Sequence, residues 1–80
     1  MHELRKLFEG VKHPSVRIFR ERIACFSPEK QTEYYHNAFF QTLYGFDGHS
    51  ERFRTFFSHL VRAHRQEYMD FLHEKTILGS

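Results

Sequence analysis

Cysteine is almost missing from this sequence. Cys25 stands alone among 80 residues, which excludes an intramolecular disulfide and any zinc site built on several thiolates. A reducing compartment is the simplest expectation. Long apolar runs are missing too: none approaches the roughly 18 residues of a membrane span, and Met1-His2-Glu3-Leu4 lacks the plan of a secretion signal. The cytoplasm is therefore the expected location. There is no tryptophan, no repeat and no low-complexity tract. A large charge imbalance is also absent. The net charge is +2 with His neutral and the sequence pI is about 8.9, short of the strongly basic stripe of a dedicated nucleic-acid binder.

What the chain has in plenty is aromatic side chains. Ten Phe and four Tyr make up 18 % of the residues, and each ring can bury a large area. At this length folding hides only about 60–65 % of the extended chain's surface, so a small core must use its volume efficiently. Apolar residues at 40 % beside 28 % charged ones describe one globular domain rather than a disordered tail.

The apolar positions recur at helical spacing throughout. Phe53, Phe56, Phe57, Leu60, Val61, His64, Tyr68, Phe71 and Leu72 keep the i, i+3, i+4, i+7 pattern of one helix face for about six turns. This predicts a single long helix over residues 51–74, capped by Ser50 and roughly 36 Å long at 1.5 Å per residue. Leu4, Leu7, Phe8 and Val11 make one apolar face and predict a short helix over 2–9, with Gly10 in the left-handed position that ends it. Val16, Phe19, Ile23 and Phe26 predict a second helix over 15–26, with Pro14 fit for its first position. Ser27-Pro28-Glu29 is the clearest local signal. Ser suits an N-cap, Pro the next position, and Glu the positive end of the helix dipole. A third helix follows over 28–44, and Gly45 and Asp47-Gly48 end it. Residues 76–80 read as a frayed tail, and Gly79-Ser80 carries no weight. The expected fold is an all-α, compact four-helix domain with the last helix as its spine.

Aromatic residues on several sides of the third helix point to a binding surface. Tyr34, Tyr35, Phe40 and Tyr44 are the candidate anchors, since Tyr and Phe are enriched at interface cores. Arg54, Ser58, Arg62 and Arg65 run along the border of the last helix's apolar face, while Glu67, Asp70 and Glu74 lie toward its C-terminus. On one continuous helix that polarity opposes the dipole, which suggests that Arg54, Arg62 and Arg65 steer an acidic partner. His64 falls near the centre of the same apolar face, where an imidazole needs a hydrogen-bond partner such as Tyr34, Tyr35 or Tyr44. It is a candidate pH-sensitive contact. His59 and His64 are about 140° apart on a helix, so they cannot share a metal ion. Neither a metal site nor a cofactor is expected.

Two other functions compete. Phosphate contacts from Arg17, Arg20, Arg54, Arg62 and Arg65 would suit a nucleic-acid-binding regulator with strongly salt-dependent affinity. The start of the third helix offers Glu29 and Glu33 with only Lys30 as a cation, the wrong chemistry for a major-groove recognition helix. Separately, Arg54-Thr55-Phe56-Phe57-Ser58-His59 resembles the loose signature of HEPN ribonucleases, an Arg followed four to six residues later by His. The resemblance covers six of the 80 residues. It implies His59 as acid/base at the RNA 2′-hydroxyl and Arg54 as a phosphate contact. Thr55 departs from the Asn, Asp or His common in that family after the Arg. The leading expectation remains a non-enzymatic interaction or regulatory module, binding a protein partner or its own twin through an aromatic surface with an arginine margin.

Overall fold

The computed structural model describes residues 3–44 and 51–79, and side chains over residues 4–44 and 51–75. It is all-helical, with five helices among those residues: α1 (Glu3–Leu7), α2 (Val16–Ile23), α3 (Pro28–Tyr44), α4 (Glu51–Ala63) and α5 (Arg65–Gly79). The expected capping by Ser50 and the expected stop at Gly45 to Gly48 lie outside the described residues.

Local chemistry explains most of the ends. Gly10 has φ +81°, the left-handed geometry that costs glycine nothing. Ser15 caps α2, its Oγ accepting the Ile18 N–H at 3.2 Å, so Pro14 lies before the helix rather than at its first position. Ser27 caps α3 in the same way, its Oγ accepting from Lys30 N–H at 3.2 Å. The C-terminal carbonyls of the first turn are satisfied from a distance. Arg22 donates to Leu7 O at 2.9 Å, and Arg52 donates to Phe8 O at 3.0 Å and also to Val11 O. Phe8 O also accepts from the Val11 N–H at 2.9 Å, and guanidinium cations suit the negative end of a helix.

Three expectations need correction. α2 stops at Ile23, not Phe26, and Phe26 turns to stack on Tyr34 with ring centroids 5.3 Å apart. The last helix does not end near residue 74, because α5 continues to Gly79. The largest change is at His64, where the expected single spine divides into α4 and α5. No Gly or Pro causes it. Of the backbone rungs that would cross the junction, only those from His64 N–H to Leu60 O and from Tyr68 N–H to His64 O are made, both at 2.9 Å; the amides of residues 65–67 do not bond the carbonyls of residues 61–63, and the chain bends where the ladder is interrupted. Bending lets α4 pack on α2 and α3 while α5 returns to α3. It also reduces the opposed charge gradient, although Arg65 still stands at the start of α5. α4 now has Glu51 in its first turn and Arg62 in its last, and α5 has Glu67 in its first turn, the sense the dipoles favour.

The core is aromatic. Phe8 lies 6.3 Å from Phe19, 5.8 Å from Phe53 and 5.0 Å from Phe56, tying α1 to α2 and α4. Phe39 does the same between α3 and α5, 5.4 Å from Tyr68 and 5.7 Å from Phe71. Tyr35 bridges the two groups, 5.0 Å from Phe19 and 6.2 Å from Phe39. Edge-on and tilted packing of this kind adds about 0.5–1.5 kcal/mol per pair beyond area burial.

Candidate functional site

The kink at His64 turns one flank of the last two helices into a concavity. An open groove of about 480 Å³ runs from α4 to α5 with α3 at its edge. Phe57, Val61 and Tyr68 form its buried to half-buried floor. Met69 stands beside them with 50 % of its surface exposed, and Thr42 and Ser58 supply hydroxyls at the margin. Arg62 and Arg65 complete the lining, both exposed.

These two arginines differ from the rest. Arg22 and Arg52 cap the first turn, Arg20 bonds His64, and Arg17 and Arg54 pair with Glu21 and Glu51. Arg5 is engaged as well. Among the described residues Arg62 and Arg65 have neither a hydrogen bond nor an ion pair. Arg62 at least suits the end of α4. Arg65 opens α5, where the helix dipole disfavours a cation.

The expected aromatic anchors do not share one surface. Tyr35 is committed to the interior, between Phe19, Phe39 and the His64 ring. Tyr34 is half-buried against Phe26. Phe40 and Tyr44 meet at 4.6 Å, with the Lys75 ammonium 5.1 Å from the Phe40 ring. Tyr44 is 56 % exposed. Of the arginine margin, Arg62 and Arg65 reach the groove, whereas Arg54 is about two turns before Arg62, beside Glu51 at 3.8 Å.

His64 is the hub of a separate polar knot. Its Nε2 accepts from the Arg20 guanidinium of α2 at 2.9 Å, with the Tyr35 hydroxyl of α3 at 3.4 Å. Its Nδ1 is 3.0 Å from a Glu67 carboxylate oxygen in α5. With Arg20 as donor, Nε2 must accept, which leaves the proton on Nδ1 to donate to Glu67. That hydrogen bond is the main reason why the Glu67 carboxyl is held below its usual range, with its own backbone amide adding to the effect. One half-buried imidazole thus joins α2, α3 and α5 at the bend.

Sequence reasoning passed over two residues. Met69 follows Arg62 and Arg65 at i+7 and i+4, so the helical stripe itself was the signal. Gln41 carried no signal: it is 1 % exposed, and neither its Nε2 nor its Oε1 has a partner. On α4, Arg54 and His59 are both exposed and about 140° apart around a regular helix. Among the described residues no three His, Cys, Asp or Glu side chains are grouped to hold a metal ion. No helix there is long and apolar enough to cross a membrane. No known protein family, curated protein or solved structure matches the chain.

Proposed function

We propose that this protein is a small, non-enzymatic helical interaction module that receives a protein partner in the α4/α5 groove. The observation that supports it is the combination of an apolar floor with two partnerless arginines. Half-exposed Met69 adds an adaptable, polarizable surface, a residue type favoured where a binding face must fit a partner's side chains. Interfaces of this kind draw affinity from the desolvated apolar centre and specificity from the charged edge.

The nucleic-acid reading is weaker on this geometry. Of its five arginines, Arg17, Arg20 and Arg54 already have partners within the chain. Two free cations beside an apolar floor make a poor track for a phosphate ladder. The ribonuclease reading needs Arg54 and His59 to converge on one phosphate. Their spacing on α4 sends them to different sides of the helix within one copy.

An anionic apolar dye such as bis-ANS tests the groove, because it matches both parts of the site. Titrated into the labelled protein at neutral pH, it should shift the amide resonances of residues 57–69 and leave α1 and α2 unmoved. Met69→Asp should abolish the shifts while the circular dichroism stays helical. Shifts confined to the Phe40–Tyr44 face would move the binding surface there and end the groove reading.

A further inference from the structure

We infer that the occupant of the groove is an acidic amphipathic helix of a partner protein, and this rests on the groove being the binding site. The mode follows by elimination among ways of holding a peptide. Adding an extended strand requires an open sheet edge, and no strand exists among the described residues. Gripping a proline-rich segment requires a row of aromatic faces. The groove offers only Phe57 and Tyr68, and Phe57 is nearly buried at 9 % exposure. A helix laid in an apolar groove needs neither.

The dimensions and charges agree with a helix. The wall follows the chain from Phe57 to Met69 across the bend, a path of about 18 Å at 1.5 Å per residue, so it can contact at most some three turns of an incoming helix. Val61, Tyr68 and Met69 would meet its apolar stripe. Arg62 and Arg65 would meet carboxylates on its flank. Charge-assisted pairing at a partly desolvated edge is where guanidinium groups are most effective. The acidic groups nearest in sequence keep their charge but make no ion pair with this edge: Glu67 accepts from His64, and Asp70 accepts from Gln66 Nε2 at 3.0 Å.

The test uses the whole chain and two synthetic helices about 15 residues long, the length at which an isolated helix becomes viable. Both carry the same leucine stripe, one flanked by Glu and the other by Lys. By fluorescence anisotropy at low salt the Glu peptide should bind about tenfold more tightly than the Lys peptide, and salt should shrink the difference. Arg62→Glu combined with Arg65→Glu should reverse the order. Both side chains are exposed and unpaired, so folding should survive, and Arg62→Gln with Arg65→Gln offers a neutral version that should erase the preference. Equal binding of the two peptides would overturn the inference. So would tighter binding of a single-stranded oligonucleotide, or a concentration-dependent dimer that Met69→Asp dissolves. If the dye still maps to residues 57–69 in those cases, the groove reading stands and only the occupant is wrong. If the dye also fails, the groove itself is not the site.

Discussion

Replacing Gln41 with methionine should make this protein more stable. The side chain is 1 % exposed, and its amide nitrogen and oxygen are both unpartnered. A buried amide stripped of water and given nothing in return costs about 1–3 kcal/mol. Methionine keeps the unbranched shape and fills nearly the same volume, so it removes the penalty without opening a cavity. The expected gain is about 1–3 kcal/mol, a large share of the total for a domain this small. In urea, with a slope of about 1 kcal/mol/M for a small protein, the midpoint should rise by roughly 1–3 M and the slope should stay constant. In a thermal scan each kcal/mol should raise the midpoint by about 4–8 °C. Gln41→Leu is the companion variant, because a branched chain that clashes would show as a loss specific to leucine. A loss of about 1 kcal/mol or more in both variants would refute the reasoning, since it would mean that the amide is satisfied and contributes to the fold.

Two further outcomes follow from the polar contacts. Arg52→Ala should cost about 1–2 kcal/mol, because it strips donors from the carbonyls of Phe8 and Val11; hydrogen exchange should show residues 4–11 opening first, and uniform loss of protection would contradict a capping role. The carboxyl of Glu67 is held below its ordinary value of 4.5 by the His64 hydrogen bond. A group with a depressed native pKa contributes stability above its unfolded value and loses it as the pH falls through the native one. Glu67→Gln should therefore flatten the stability profile below about pH 4.5 and leave its slope near neutrality unchanged. Parallel profiles for the two proteins in acid would exclude the contact in solution.

The Ser27 cap and the left-handed Gly10 were legible in the linear sequence because each depends on atoms three or four positions away. The start of α3 and the buried face of α4 follow from the same short-range rules, capping chemistry and helical period. Function-bearing geometry does not share that locality. Apolar periodicity continues across His64 undisturbed, so nothing in the pattern could divide α4 from α5. The divide coincides with partners on other helices, Arg20 and Tyr35, which are 44 and 29 positions away. Tyr35 looked like a surface anchor for the same reason: ring surplus is visible in composition, but the Phe19 and His64 rings that surround it are not. The arginines give the sharpest contrast. In sequence Arg22, Arg52, Arg62 and Arg65 are alike. Folding gives the first pair to the carbonyls of Leu7, Phe8 and Val11 and leaves the second pair unpartnered at the groove. Short-range forces specified the helices of this protein, and which charges remained for a partner depended on long-range packing, where side chains distant in the chain compete for the same donors and acceptors.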